Sequence, residues 1–322
     1  MQRMELPYYN LVRNPFQNRT LDFARPDDEK LFVREVDGCH GITALEPAMR
    51  ERARAEQPMC VVVMGGSGTG RTTVAHYLVK LWRGLVTRRN LVVRCEPMPD
   101  SDVEVFLTEL VLYLRNEIES SGIHLADSTS KLIDSLESLP GKGTIGPKLE
   151  RVLRNVDTDL KAKDWGFACV IERAPTGRLL EELKRAFAKT AGLVVVTVDD
   201  VNPTASEVRA AAKQHLADSG FGGLLELNVL PGADVRVLID RRWTTVSPLR
   251  NPFDLDGLEE VFSTMQRPIA RVLFLLSQML VYRHGEVAPG AVWPDDDALA
   301  FTRDAIRNNL PMADVTWREV SR

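Results

Sequence analysis

The stretch Val61-Val-Val-Met-Gly-Gly-Ser-Gly-Thr-Gly-Arg-Thr-Thr-Val74 decides the fold of this chain. It begins with an apolar run, which predicts a buried strand. Glycine-rich sequence follows at residues 65–70, and a helical pattern then covers residues 71–81. Glycine lets the backbone turn without a Cβ in the way, so successive N–H groups and the helix N-terminus can face an anion. Strand, glycine loop and helix in this order predict a phosphate-binding loop.

The predicted loop departs from the usual pattern G-x-x-x-x-G-K-[ST] at one position. Its residues are Gly65, Gly66, Ser67, Gly68, Thr69, Gly70, Arg71, Thr72 and Thr73. Thr72 stands where the pattern has the hydroxyl that ligates Mg²⁺. Arg71 replaces the lysine, and because arginine is longer and planar it can hold charge near phosphates without occupying the same place. The plain alternative is a glycine-rich turn, whereas the dinucleotide pattern G-x-G-x-x-G fails because Arg71 stands at its third glycine.

Length and charge give only broad limits. A chain of 322 residues suggests about two domains. The net charge of −4 gives no overall sign of nucleic-acid binding. Arginine clusters at residues 83–94 and 241–250 are typical of solvated faces, with a phosphate- or DNA-facing patch as the alternative. DNA therefore stays an open partner that the sequence does not indicate.

Cysteine usage predicts a cytoplasmic protein. Three of the four cysteines, Cys60, Cys95 and Cys169, lie in or beside strand-like apolar runs and are predicted to be reduced core residues. The adjacent pair Cys39-His40 is isolated, which does not favour a metal site. No N-terminal signal pattern is present. The apolar run at residues 272–282 is too short to span a bilayer, so we expect no membrane span.

The periodicity predicts an α/β fold followed by a helical unit. Short apolar strands alternate with helices from about residue 58 to 230, which predicts a five-stranded parallel sheet with helices on both faces. Beyond Pro231 helical patterns cover about 232–242, 255–265, 268–284 and 295–308. We expect an extended lead-in at 1–42, a nucleotide-binding domain at 43–230, a helical lid at 231–290 and a helical tail at 291–322. Residues 140–143 are predicted to form a loop.

This order of elements resembles the AAA+ ATPases over about residues 8–285. It is similar to the bacterial branch that includes secretion-associated and transposition-associated ATPases, whose tyrosine-rich lead-in ends in Asn-Pro-Phe, here Asn14-Pro15-Phe16. The segments 227–231, 256–262 and 266–276 resemble the start of the family's lid and its next two helices. The resemblance implies a P-loop sheet with a small helical lid, ATP or ADP with Mg²⁺ as the cofactors, and a homo-oligomer.

The resemblance also implies roles for three catalytic candidates. Glu172 ends the third strand where the family has a consecutive Asp-Glu pair, so it would organise Mg²⁺ or orient the attacking water; the alternative is an ordinary acid in a salt bridge. Thr197 would sense the γ-phosphate from the fourth strand, unless it is a plain strand residue. Arg271 would reach from the lid to the phosphates, with Arg267 as a neighbouring candidate and a surface role as the alternative.

Two of the chemical groups of the family are altered in this sequence. Arg71 replaces the lysine of the loop, and Glu172-Arg173 replaces the acidic pair. The inter-subunit arginine finger, which alone contributes roughly 10³–10⁵-fold to the rate, would be Arg209 or Lys213, and the sequence does not choose. Binding depends mainly on backbone N–H groups, which are retained. These magnitudes predict nucleotide binding with weak or lost hydrolysis.

Three functions follow from these observations. The first is a nucleotide-dependent switch for self-assembly or for docking of an unknown protein partner. The second is an active ATPase that remodels a protein or loads onto DNA. The third is a partner-binding protein whose loop stays empty. The tail after Gly290 is either a further lid helix or a docking segment.

Overall fold

The computed structural model describes residues 5–36, 39–96, 102–137, 145–173, 176–217, 220–287 and 289–320. The loop predicted at residues 140–143 lies outside these ranges. The chain divides into two compact units. The helical unit comprises residues 1–40, 66–73 and 227–322, and the sheet unit comprises residues 41–65 and 74–226.

The sheet unit contains the five-stranded parallel sheet that the sequence predicts. Its strands are β1 (Met59–Gly65), β2 (Arg89–Cys95), β3 (Trp165–Ile171), β4 (Leu193–Asp199) and β5 (Gly222–Leu227). Their order is β2-β3-β4-β1-β5, with parallel registers between β1 and β4, β2 and β3, and β3 and β4. Every residue of β1 is buried. A strand that is covered on both faces needs a continuous apolar run, and residues 59–64 supply one.

The helices follow in chain order. They are α1 (Pro26–Leu31), α2 (Cys39–Arg54), α3 (Arg71–Leu85), α4 (Val103–Ser120), α5 (Asp127–Glu137), α6 (Ile145–Lys161), α7 (Gly177–Phe187), α8 (Ala205–Ala211), α9 (Gly232–Val246), α10 (Leu255–Thr264), α11 (Ile269–Glu286) and α12 (Arg303–Val320). A π-helical turn, Ala212–Ala217, continues α8. The helices α1 and α5 have no counterpart in the predicted elements.

Helix α4 shows how the sheet is covered. Its N-cap Asp102 accepts a hydrogen bond from the Glu104 N–H at 2.8 Å, which satisfies one of the free donors of the first turn. The buried residues Phe106, Leu110 and Leu114 recur every four positions on one face. They belong to the same core cluster as the inward side chains of β2 and β3. Burial of this stripe is the main stabilising term of the helix.

The lead-in contributes to the core of the helical unit. Tyr9, Leu11 and Phe16 are fully buried in one cluster with α9, α10 and α11. The Tyr9 hydroxyl donates to the Leu299 carbonyl at 3.0 Å. Asn14 donates from Nδ2 to Ser277 Oγ at 2.9 Å, while its Oδ1 accepts the Phe16 N–H at 2.9 Å. The Asn-Pro-Phe segment therefore anchors the lead-in to the helices of its own unit.

The tail differs from the predicted helix at residues 295–308. The structure has a short 3₁₀ turn, Asp297–Leu299, capped by the Asp296 side chain, and α12 begins only at Arg303. Phe301 stays extended because its N–H donates to Pro252 O at 2.8 Å and its carbonyl accepts from Asp254 N at 2.9 Å. Helix α12 then continues through Pro311 to residue 320, because tertiary burial outweighs the local cost of the proline.

An ion pair between the exposed Arg19 and the buried Asp28 organises the lead-in near the glycine loop. Asp28 is 1% exposed, and its Oδ1 accepts from Arg19 Nη2 at 2.6 Å. The Asp28 carboxylate also accepts the Asp22 N–H at 2.9 Å. The hydrogen bond from Arg19 is the main cause that holds the pKa of Asp28 below its ordinary value. Within this segment the Leu21 N–H lies 3.4 Å from Thr73 Oγ1, so the pair helps to set the lead-in beside the loop.

We expect Asp28→Ala to lower the free energy of unfolding by about 2 kcal/mol, because it removes the buried carboxylate that accepts hydrogen bonds from Arg19 and from the Asp22 N–H. The pKa of Asp28 is lower in the folded state, so this stability is present above the unfolded pKa of about 4 and is lost as the pH falls below it. Urea denaturation at pH 7 and at pH 3 measures both effects. Asp27→Ala is the control, because Asp27 is an exposed acid in the same helical turn; equal losses in the two variants would contradict the assignment.

Candidate functional site

The glycine loop joins β1 to α3 as the sequence predicts. Gly68 and Gly70 have φ angles of +81° and +94°, in the left-handed region that strains any residue with a Cβ. Thr69 closes a tight turn, because its N–H and its hydroxyl both donate to the Gly66 carbonyl at 3.2 and 2.8 Å. The loop then passes directly into the first turn of α3 at Arg71. This is the local geometry that a phosphate-binding loop requires.

The first three residues of α3 follow the loop closely. Arg71, Thr72 and Thr73 are all half-buried, and Ser67 is the exposed residue at the tip of the loop. The hydroxyl of Thr73 accepts a hydrogen bond from the Leu21 N–H at 3.4 Å. The residues predicted to hold phosphate and Mg²⁺ are thus contiguous with the helix N-terminus, and their roles stay predictions.

The N-terminus of α11 lies directly against the loop within the helical unit. The Ala270 N–H donates to the Gly68 carbonyl at 3.0 Å. A Cβ on Gly68 would meet Ala270 Cβ at 3.2 Å and Pro268 Cβ at 3.5 Å, and a Cβ on Gly70 would meet Ile269 Cγ2 at 3.7 Å. A Cβ would therefore be tightly packed at Gly68 and in ordinary contact at Gly70, and at both positions the positive φ is the stronger reason for glycine.

The two lid arginines named by the sequence converge on one carboxylate in the tail. Arg267 contacts Asp314 through Nη2 at 2.7 Å and through Nε at 3.3 Å to each carboxylate oxygen. Arg271 Nη1 lies 3.9 Å from Asp314 Oδ1, which is an ion pair but too long for a hydrogen bond. The side chains of Arg267 and Asp314 are 27% and 23% exposed, so solvent screens the pair only in part.

Trp317 also belongs to this part of the helical unit. Its ring packs edge-on against Phe274 with centroids 5.5 Å apart. A Cβ on Gly68 would lie 3.8 Å from Trp317 Cζ2, so the indole reaches the glycine loop. Sequence reasoning missed both Asp314 and Trp317 because the predicted tail helix ends at 308. The spacing of Leu310, Asp314 and Trp317 is typical of one helical face, and it could have indicated that the helix continues.

The sheet unit holds the other two catalytic candidates at the carboxyl ends of its strands. Glu172 follows β3, is half-buried, and donates its N–H to the Cys95 carbonyl at 2.9 Å. Thr197 is 3% exposed, and its hydroxyl accepts the Arg173 N–H at 3.1 Å. Arg173 has φ +55° and pairs with Glu96 at 2.9 Å. Within the sheet unit, the structure thus connects Thr197 to the turn that carries Glu172.

The two arginine-finger candidates lie on one segment of the sheet unit. Arg209 of α8 forms an ion pair with Glu226, and Lys213 is exposed in the π-helical turn. The arrangement does not distinguish them.

The cysteines Cys60, Cys95 and Cys169 are buried free thiols. Burial raises the pKa of Cys60 and of Cys95 to about 12 and the pKa of Cys169 well above its ordinary value. They are core residues with unreactive thiols. Within the ranges that the structure describes, no group of three or more His, Cys, Asp or Glu side chains could hold a metal ion. The Mg²⁺ roles of Thr72 and Glu172 accordingly stay predictions.

Comparison with solved structures supports the fold. One similar structure is that of the Aeropyrum pernix ORC2 protein in ADPNP–ADP complexes, with a TM-score of 0.56 and 12% identity over 94% of this chain and 72% of that one. Another is the Walker-type ATPase paby2304 of Pyrococcus abyssi, with a TM-score of 0.50 and 12% identity over 95% of this chain and 78% of that one. No protein-family model and no curated protein matches the sequence.

These likenesses establish the architecture. The chain has an α/β fold, with a five-stranded parallel sheet covered by helices and an additional helical part. At 12% identity the likeness shows the fold alone. In the described part of the chain, none of the helices combines the length and the apolar character needed to cross a membrane.

Proposed function

We propose that this protein binds ATP or ADP with Mg²⁺ at residues 65–73 and acts as a nucleotide-dependent switch for assembly or partner docking, with weak or absent hydrolysis. One observation carries the proposal: two left-handed glycines connect a buried central strand to a helix N-terminus, and the lid helix α11 donates a hydrogen bond to the same loop. Such a loop binds anions through backbone N–H groups and the helix dipole.

The proposed roles in binding follow the chemistry of each group. The N–H groups of the loop other than that of Thr69, which donates to the Gly66 carbonyl, would surround the β-phosphate, and the Arg71 guanidinium would add charge. Thr72 would ligate Mg²⁺ through its hydroxyl, with Glu172 as the acidic partner of the metal. Thr73 would support the turn through its contact with the lead-in.

Weak hydrolysis is proposed because two chemical groups differ from those of the family. Arg71 stands in place of the lysine that the loop pattern has, and Arg173 stands where a second acid would orient water. Arg173 is engaged with Glu96, and its N–H uses the Thr197 hydroxyl as acceptor. Both features support a site in which binding is retained and the catalytic step is slow. The retained acid Glu172 favours the alternative, an active ATPase that remodels a protein or loads onto DNA.

The switch is proposed to work through α11. A ligand can shift a conformational equilibrium only through contacts that differ between the two states. The Ala270–Gly68 hydrogen bond makes the position of α11 depend on the shape of the loop. Arg271, one residue later, is the candidate contact to phosphate. A homo-oligomer of the kind that the bacterial secretion-associated and transposition-associated ATPases suggest would then respond to nucleotide.

We expect saturable binding of ATP with Mg²⁺ by the wild type and none by Gly70→Asp, because a side chain at φ +94° strains the loop and its carboxylate repels phosphate. Isothermal titration calorimetry measures this. Gly122→Asp is a matched control, because Gly122 also has a positive φ (+71°) and has no atom near its Cβ position. A wild type without saturable binding would refute the proposal.

We expect turnover at least about tenfold below the 1–10³ s⁻¹ typical of enzymes, because both the loop cation and the acidic pair are altered. A phosphate-release assay at saturating ATP measures it, with Arg71→Lys expected to bind nucleotide no more weakly than the wild type. If the wild type turns over in the typical range and Glu172→Gln abolishes this, the active-ATPase function replaces the switch.

We expect the average mass in solution to depend on nucleotide, and Arg271→Ala to weaken that dependence, since the coupling between sites is typically 1–3 kcal/mol. Light scattering across a protein titration, with and without ATP, is the measurement. Arg283→Ala is the control, because it removes the same charge from the far end of α11, where Arg283 packs over Phe301. A mass that is independent of nucleotide would show that nucleotide does not control assembly.

A further inference from the structure

We propose that the second half of α12 is a latch that competes with bound nucleotide, through Asp314 on the lid arginines and Trp317 on the glycine loop. The latch segment is residues 312–317. This inference rests on the proposed function, because the competitor is the phosphate chain of the nucleotide. It adds an element of self-inhibition that the loop and lid do not supply by themselves.

The chemistry of the Asp314 contact supports competition. A carboxylate and a terminal phosphate offer guanidinium groups the same kind of charged oxygen acceptors. Arg267 already donates hydrogen bonds from Nε and Nη2 to the Asp314 carboxylate. Within the part of the chain that the structure describes, the contact of Arg271 with Asp314 is a 3.9 Å ion pair without a hydrogen bond, so Arg271 is the more easily recruited of the two. A phosphate that engages these arginines must therefore displace Asp314 or share them with it.

Trp317 gives the latch a second contact on the same loop. The indole packs against Phe274 of α11 and reaches the position that a Cβ on Gly68 would take. The Ala270 N–H holds the Gly68 carbonyl from the lid side. The loop is thus bounded by α11 and α12 together, and any rearrangement of its backbone on binding a ligand alters the Trp317 contact.

The two halves of α12, before and after Pro311, are held to the helical unit by different contacts. The first half is anchored by the buried residues Ile306 and Leu310 and by the Arg303–Glu260 ion pair at 2.9 Å. Pro311 lies in the helix interior, where it removes one backbone hydrogen bond. Beyond it, Met312 and Val315 are 71% and 56% exposed. Release of the latch segment would consequently cost little apolar burial beyond that of Ala313 and Trp317.

The inference makes a quantitative statement about affinity. If nucleotide binds tightly only when the latch is open, its apparent dissociation constant rises by the inverse of the open fraction. Removing the charge of Asp314 raises that fraction. Asp314→Asn should then tighten ATP binding about five- to tenfold, with a smaller effect on ADP if the arginines meet the γ-phosphate.

The test is a titration of the full chain with a fluorescent ATP analogue and Mg²⁺, followed by fluorescence anisotropy. Asp304→Asn is the matched control, because it removes the same charge from the same helix at an exposed position next to Arg303. It should bind as the wild type does. Trp317→Ala should also tighten ATP binding. It serves as the test variant if Asp314→Asn does not fold.

A second arm separates competition from a merely structural effect. In a background of Arg267→Ala with Arg271→Ala, adding Asp314→Asn should produce no further gain, since the groups on which it acts are gone. Hydrogen exchange of the amides at 312–317 should accelerate when ATP is added to the wild type. Equal affinities of the wild type, Asp314→Asn and Trp317→Ala would overturn the latch and leave nucleotide binding standing. No saturable binding by any of them would overturn both proposals.

Discussion

The left-handed backbone of Gly68 and Gly70 is the constraint on which the surroundings of the loop depend. A residue with a Cβ would be strained there and would also meet the side chains of α11. Within the helical unit, the Ala270 N–H donates to the Gly68 carbonyl, so the start of α11 packs on the loop. Within the sheet unit, β1 is buried along its whole length between β4 and β5.

The distribution of charge around the loop gives the arrangement its chemical character. Arg267 and Arg271 share a single carboxylate, Asp314, so the local charges of this group do not cancel. An unbalanced pair of guanidinium groups attracts anions. Helix α12 therefore contributes a charged partner to the start of α11 as well as apolar packing.

Phosphate binding and phosphoryl transfer depend on different groups of a protein. Phosphate-binding loops act mainly through backbone N–H groups, which depend on glycines and on a helix N-terminus. The chemical step of phosphoryl transfer depends on side chains as well. In the sheet unit of this chain, the Arg173 N–H donates to the Thr197 hydroxyl. A chain can accordingly keep the first capability while the second declines.

The sequence by itself determined the parallel sheet, the glycine loop with α3, and the succession of the helices α9, α10 and α11. These features follow from hydrophobic periodicity and from glycine spacing, which act over a few neighbouring residues. The tertiary structure alone decided that Tyr9 and Phe16 join the core of the lid helices, and that α12 passes through Pro311. It alone also paired Arg267 with Asp314, because the two residues are 47 positions apart and no local pattern links them. Long-range partners are chosen by how whole elements pack, and that choice is made by buried area and charge in three dimensions rather than by the order of residues along the chain.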